Sequence, residues 1–320
     1  MTALRFAVFG DSRLCASRCE AIRRHPNAEL GPVFSVSDVE TAGTRGGRDL
    51  IKPDEVDGVI VALPAHLAYS ASLGLLESGL HVLTELPGAR SVEDIVNLRA
   101  AERSSRAILK FGSTLRYHAS VKKASQLASS GELGKLLTAR AIYGHAGLPG
   151  IDARSEGILI GHGIHMLDLL HHFCGPFETV KAMSDADAPH DQNLFALLRT
   201  GANTIAQLHC SSTSWRQTFR LELGFEKGYL WLDGHLPGLP GYGPEVLVSA
   251  KAVSGEDGSK LPNPDETVET FEKALTAESE IAEMLDTMEG RRQIEHGTSH
   301  QAFDAMNIAQ RICAATERWA

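Results

Sequence analysis

Short apolar runs separated by stretches of helical periodicity fill the first third of the chain, and this alternation restricts the fold more than any other feature. Leu4–Phe9, Val33–Val36, Val59–Leu63, His81–Thr84 and Ala107–Phe111 read as strands. Val59–Leu63 is apolar throughout, the mark of a parallel strand buried on both faces. Between the runs, Leu14–Arg24 reads as a helix stopped at His25-Pro26, and Ala65–Ser78 as one closed by Gly79. Ser91–Arg103 reads as a helix with Ser91 as N-cap and Asp94 three residues on, a variant of the capping box. Residues 41–49 read as a loop in place of a longer crossover helix. Strands alternating with helices of this length predict an α/β domain with a doubly wound parallel sheet.

After residue 118 the pattern changes. A helix over Ala119–Ser129 and a strand over Leu136–Tyr143 lead into a loop rich in Gly and Pro, then a helix over Ile160–Phe173. Asn193–Arg199, Thr204–Cys210, Thr218–Gly224 and Tyr229–Leu232 follow as strands with turn signals and no helices between them. Such an order predicts a mostly antiparallel sheet, hence an α+β domain. Residues 234–264 read as a long surface excursion, and two amphipathic helices close the chain, carrying Ile281, Leu285 and Met288 and then Ala302, Met306, Ala309 and Cys313.

At 320 residues the chain is too long for one ordinary core, so two domains are expected, 1–118 and 119–320. A net charge of -9 argues against a nucleic-acid-binding surface and for a small-molecule or protein partner. No apolar run approaches the roughly 20 residues that span a bilayer. The chain enters its first strand with no charged segment and cleavable apolar stretch before it, so a cytoplasmic protein without membrane contact is expected. Five scattered cysteines, with Cys15 and Cys19 on one helix face but no CxxC pair, are expected to be buried or idle thiols.

The first strand runs into Gly10-Asp11-Ser12-Arg13-Leu14-Cys15. Glycines at such a turn let the backbone approach a pyrophosphate at a helix N-terminus. Gly10 keeps the first glycine of GxGxxG, while Ser12 and Cys15 replace the other two. Ser12 is small and can donate a hydrogen bond. Asp38, after the second strand, would accept from ribose hydroxyls and repel a 2′-phosphate, so NAD is expected rather than NADP.

The segment from Asp57 to Gly88 carries Leu63-Pro64, Gly79, His81-Val82-Leu83, Glu85 and Pro87 in one register. Ser130-Gly131-Glu132-Leu133-Gly134-Lys135 forms an "sGeLG" turn, Gly163–Leu170 a "GsHliDll" helix, and Gly224–Leu232 a "G.kG.l.l" hairpin. In order and spacing these motifs resemble the glucose–fructose oxidoreductase, inositol dehydrogenase and MocA (Gfo/Idh/MocA) family over nearly the whole chain. The resemblance implies an N-terminal Rossmann domain and a C-terminal α+β domain with an open sheet. It also implies a homodimer or homotetramer paired through that sheet face, for which Phe195, Leu197, Leu208 and Phe219 are outward candidates. Gly10, Asp11, Ser12, Leu14, Asp38, Leu63, Pro64, Glu85 and Pro87 would face the cofactor. Four positions depart from the family pattern: Leu86 stands for the EKP lysine, Ala65 for the "TPN" asparagine, Ala68 for a histidine and Gly161 for an acid. His165 alone remains of the lysine, aspartate and histidine set.

Four histidines lie in the stretch His162–His172, and at 100° per residue His162, His165 and His172 share one narrow arc with Asp168 at its edge. His165 is the expected acid/base, with His162 or Tyr117 assisting. Arg116, His145 and Arg154 are candidate substrate contacts, and no metal site is expected. The expected activity is a nicotinamide-dependent oxidation or reduction of a sugar, sugar derivative or cyclic polyol. Two rivals stand beside it: a non-redox lyase or hydrolase that uses NAD transiently, and a binding or regulatory protein that keeps the fold without the chemistry.

Overall fold

The computed structural model describes residues 3–43, 47–146, 157–186, 190–234, 244–254, 260–261, 264–272 and 276–318. The chain forms two compact units, Met1–Thr114 with Leu275–Asn307, and Leu115–Ala274 with Ile308–Ala320.

In the first unit β1 (Leu4–Phe9), β2 (Ala28–Phe34), β3 (Gly58–Val61), β4 (His81–Glu85) and β5 (Leu109–Gly112) make a five-stranded sheet, parallel throughout, in the order β2-β1-β3-β4-β5. Strand order reverses between β1 and β3, the point at which open α/β sheets accept ligands. Helices α1 (Arg13–Arg24), α2 (Val36–Thr41), α3 (Ala65–Glu77) and α4 (Val92–Ser105) connect the strands. Gly79 (φ +81°) ends α3 as a Schellman turn: Leu80 N–H bonds Leu75 C=O at 3.1 Å and Gly79 N–H bonds Leu76 C=O at 2.8 Å. Ser91 caps α4 by accepting from Asp94 N–H at 3.0 Å, while the Asp94 carboxylate turns back one residue further, to Arg90 N–H at 3.1 Å. The second strand is longer and earlier than Val33–Val36. Gly31-Pro32 breaks its sequence pattern, but β2 is an edge strand with a register shift in its pairing to β1, where proline is tolerated. Val36 itself is helical.

The second unit holds α5 (Ala119–Ser129), β6 (Leu136–Ala146), a π-helical turn (Leu159–Gly163), α6 (Ile164–Cys174), β7 (Phe177–Ser184), β8 (Asn193–Thr200), β9 (Ile205–Ser211), β10 (Thr213–Phe225), β11 (Gly228–Gly234) and β12 (Glu245–Lys251). A short hairpin of β13 (Val253–Ser254) and β14 (Lys260–Leu261) precedes β15 (Thr267–Phe271). The stretch read as an excursion therefore contains three strands, whose signals its Gly and Pro had masked. A nine-stranded sheet runs β15-β12-β11-β10-β6-β9-β8-β7-β16, with β16 at Thr316–Arg318. Its pairs are antiparallel except β6–β9 and β7–β16. One face packs Ala139, Ala141, Leu194, Ala196, Leu198, Leu208, Phe219 and Leu221 into a core with Val121 of α5 and Met166 and Leu170 of α6. The other leaves Phe195, Leu197, Ile205, Trp231 and Val268 exposed. Leu208 and Phe219 thus point inward, not outward: Leu208 pairs with the buried Ala196, and the outward neighbours in β9 are Ile205 and His209, the latter stacked on Phe195.

The closing helices correct the linear division at residue 118. In α7 (Thr276–Met288), Ala277, Ile281, Met284 and Leu285 share one core with Phe6, Val8, Cys15, Cys19 and Ile22, so this helix returns to the first unit. Helix α8 (Ser299–Ala315) carries the division itself, between Asn307 and Ile308. Among the described residues no helix is long and apolar enough to cross a membrane.

Candidate functional site

The turn from β1 into α1 is shaped by Gly10. Its φ is +134°, and a Cβ there would overlap the Ala62 carbonyl oxygen, so only glycine fits between the ends of β1 and β3. Ser12 caps α1 with extended backbone and accepts from Cys15 N–H at 3.2 Å. Cys15, in the place of the third glycine, is buried and donates its thiol hydrogen to Gly10 C=O at 3.0 Å. Burial and the neighbouring Cys19 push this thiol up to about 12, so it stays protonated. Helix α1 starts directly after β1, at the switch point of the sheet, and its first turn brings unpaired amides and the positive end of its dipole. A backbone cradle that a Cβ would fill, at a helix N-terminus, fits a dinucleotide pyrophosphate. Asp11 and Leu14 are exposed at the same turn.

The other expected cofactor residues lie at the carboxyl ends of the next strands. Pro64 is the N-cap residue of α3, directly after Leu63. Asp38 does not end a strand: it is the N3 residue of α2, in a reciprocal capping box with Ser35. Its carboxylate accepts from Ser35 N–H at 2.8 Å and Ser35 Oγ at 2.7 Å, and these bonds hold its pKa below the usual aspartate range. Glu85 ends β4, followed by the cis Leu86-Pro87 peptide. Leu86 is 7% exposed, an apolar side chain packed beside that turn.

Sequence reasoning missed the partner of Glu85. Arg18 in α1 is fully buried, donates from Nε to Glu85 Oε1 at 2.7 Å and from NH2 to Oε2 at 3.1 Å, and pairs through NH1 with Glu280 of α7 at 2.5 Å. The signal was available in the spacing: Arg18 sits among Cys15, Cys19 and Ile22 on the core-facing side of its helix.

In the second unit the histidine helix opens with the π-helical turn, so the uniform 100° step does not hold through His162. His162 is 5% exposed and meets His145 of β6, itself 2% exposed, edge to face at 4.6 Å between ring centroids. Both ring nitrogens of His145 and Nε2 of His162 lack a hydrogen-bond partner among the described residues. Burial, then His145 and His165, push His162 down to about 3, so it is a neutral imidazole. His165, one turn on, is partly exposed. Gly163 permits this packing, because a Cβ there would overlap Cys210 Sγ of β9.

Arg116 is committed inside the unit. It grips the Asp168 carboxylate with Nε and NH2, both at 2.7 Å, and donates NH1 to His172 Nδ1 at 3.2 Å. His172 therefore carries its proton on Nε2 and donates to Ser125 Oγ at 2.8 Å. Held in this buried fork, Arg116 orients α6. Tyr117 is buried, with the Lys122 ammonium 5.2 Å from its ring centre. Arg154 lies outside the described residues.

Family models match both parts of the chain: residues 5–113 match the oxidoreductase family's NAD-binding Rossmann fold, and residues 121–231 the GFO/IDH/MocA C-terminal domain. The chain belongs to the Gfo/Idh/MocA family. Its first domain is accordingly an NAD(P)-binding Rossmann domain. This Gfo/Idh/MocA chain is 27% identical over 177 residues to a dTDP-3,4-didehydro-2,6-dideoxy-alpha-D-glucose 3-reductase of Saccharopolyspora spinosa, a match spanning only 53% of either chain. It is 23% identical over 257 residues to the 2,7-anhydro-N-acetylneuraminate hydratase of Escherichia coli, covering 72% of this chain and 68% of that one. A 3-ketoreductase from Actinomadura kijaniata, solved with TDP-benzene and NADP, has the same fold (TM-score 0.80, 20% identity, 99% of both chains).

The His162 shift has a consequence for stability. The unfolded chain takes up a proton near pH 6.5 that the folded chain refuses until about 3, so the contribution of His162 is intact above pH 6.5 and lost as pH falls toward 3. Denaturant titrations from pH 7 to pH 4 should show the unmutated protein losing up to about 1.4 kcal/mol per pH unit more than His162→Gln. Parallel pH profiles for the two proteins would contradict the neutral assignment.

Proposed function

We propose that this member of the family is a nicotinamide-dependent oxidoreductase acting on a sugar, sugar derivative or cyclic polyol, with His165 as its acid/base. The reading rests on one observation: His165 is the partly exposed imidazole in the first turn of α6, next to a buried, neutral His162. In the proposed reaction His165 takes the proton from a substrate hydroxyl during oxidation and returns it during reduction. Bound nicotinamide supplies the hydride acceptor or donor. Gly10, Asp11, Ser12 and Leu14 receive the pyrophosphate at the N-terminus of α1, and Leu63, Pro64, Glu85 and Pro87 line the strand ends beside it. Proton transfer rests on His165, with His162 or Tyr117 assisting. His145 remains a candidate substrate contact behind His162. The sugar-active relatives support the substrate class.

Asp38 supports NAD over NADP, since an exposed carboxylate held ionised near the end of β2 repels a 2′-phosphate. The exposed Phe195, Leu197, Ile205, Trp231 and Val268 support a homo-oligomer paired through the open sheet face. A second reading, transient oxidation within an elimination or hydration, is favoured by Leu86 and by the similarity to a hydratase. In that case turnover leaves the free nucleotide unchanged.

Three outcomes are expected. With a sugar or polyol that is turned over, His165→Ala lowers the rate by about 10²–10⁴ while circular dichroism stays unchanged; an unaltered rate moves the acid/base role to His162 or Tyr117. Fluorescence titration gives tighter binding of NADH than of NADPH, and Asp38→Ala narrows the gap; equal affinities in the unmutated protein contradict the NAD assignment. Sedimentation at micromolar concentration finds a species larger than the 34.5 kDa chain; a stable monomer contradicts pairing through the sheet.

A further inference from the structure

Arg18 is an unusual residue to find in the core of a nucleotide-binding unit. Its guanidinium is fully buried: Nε and NH2 donate to the Glu85 carboxylate, and NH1 lies 2.5 Å from a Glu280 oxygen as an ion-pair contact. The planar fork takes both oxygens of Glu85 and leaves NH1 for Glu280, a geometry that lysine cannot reproduce. Three segments are joined this way: α1, whose N-terminus begins at Ser12; the end of β4, which continues into Leu86-Pro87; and α7, which returns from beyond residue 275. The surrounding backbone is built to admit the pair. A Cβ on Gly112 at the end of β5 would overlap Glu85 Oε2 and come within 3.2 Å of Arg18 NH2. Gly88 (φ +65°) is pressed against Glu85 C=O, Phe111 and Thr84, each 2.9 Å from where its Cβ would stand.

We propose that Arg18 is a positioning residue for the bound dinucleotide: it fixes the Glu85-Leu86-Pro87 turn to the helix that receives the pyrophosphate, with Glu280 clamping the guanidinium from the other side. The inference rests on the cofactor reading above. That reading gives the β2 side of the crevice, with Asp38, to the adenosine ribose. The β3 and β4 side, where Glu85, Leu86 and Pro87 lie, then falls to the nicotinamide. Arg18 touches no part of this crevice itself. It sets how far the floor under the nicotinamide stands from the helix under the pyrophosphate.

A comparison of NADH with ADP-ribose, which lacks the nicotinamide, separates positioning from a merely structural role. Arg18→Lys keeps a charge but cannot fork, and Gly112→Ala keeps every charge but forces the Glu85 carboxylate off Arg18. For both variants, calorimetric titration should show ADP-ribose affinity within about twofold of the unmutated protein and NADH affinity about tenfold weaker, a difference on the scale of one lost hydrogen bond. Emission from bound NADH should shift toward that of free NADH. Equal weakening of both ligands, or no change in either, overturns the proposal and leaves Arg18 as a core ion pair. Failure of the unmutated protein to bind either ligand overturns the cofactor reading as well.

Discussion

The Arg18 guanidinium is shielded from water and must be matched on every side, and much of the first unit follows from that requirement. Burying such a charge is unfavourable unless its partners are equally fixed, and removing one partner of a buried pair typically costs about 3–5 kcal/mol. Glu85 takes the fork and Glu280 pairs with NH1, from segments almost 200 residues apart in sequence. The return of α7 to the N-terminal sheet is therefore more than apolar packing by Ile281 and Leu285. The same carboxylate that pairs with Arg18 ends β4, at the turn into Leu86-Pro87. A second buried cation, Lys110 of β5, is likewise held by α7, with Nζ 2.8 Å from Glu283. Desolvation lowers the Lys110 pKa, and the Glu280 and Glu283 carboxylates oppose that shift.

The second unit uses the same device on a different helix. Arg116 grips Asp168 on one face of α6 and, through His172, ties the helix to Ser125 of α5. This fixes the rotation of α6 about its axis. With Asp168 and His172 turned to Arg116, His165 is left partly exposed, and Met166, Leu169 and Leu170 go to the core. Gly163 and the π-helical turn set the start of the helix close against β9. The imidazole proposed for proton transfer is thus oriented by residues that do not handle the proton.

Most of the fold was legible because its signals are local. Ser91 capped the helix it was expected to cap, Gly79 closed α3, and the continuous apolar runs became parallel strands buried on both faces. Where the reading failed, a local signal met a longer-range one. Val36 continues an apolar strand pattern, yet the Ser35–Asp38 capping box makes it helical. Leu208 and Phe219 are as apolar as Phe195, and strand register alone decides which of them faces water. The candidate site is read from His165, Gly10 and Glu85, where a residue type at a fixed spacing carries the information. Sequence does not show that Arg116, a candidate substrate contact, grips the Asp168 carboxylate. Arg18 and Glu280 were missed for the same reason, being defined by each other across the whole length of the chain.

Each unit has its own close-fitting glycines and buried ion pairs, Gly10 and Arg18–Glu85 in the first and Gly163 and Arg116–Asp168 in the second. Gly10 packed against Ala62 shapes the β1–α1 turn, and the Arg18–Glu85 pair holds that helix to the turn after β4. The central claim is therefore that a nicotinamide dinucleotide binds at the switch point of the first sheet. Mass spectrometry of the small molecules released from the purified, unmutated protein tests this directly. The account predicts a nicotinamide dinucleotide among them, or its capture when NADH is added. Protein that releases none and takes up none on addition would contradict it.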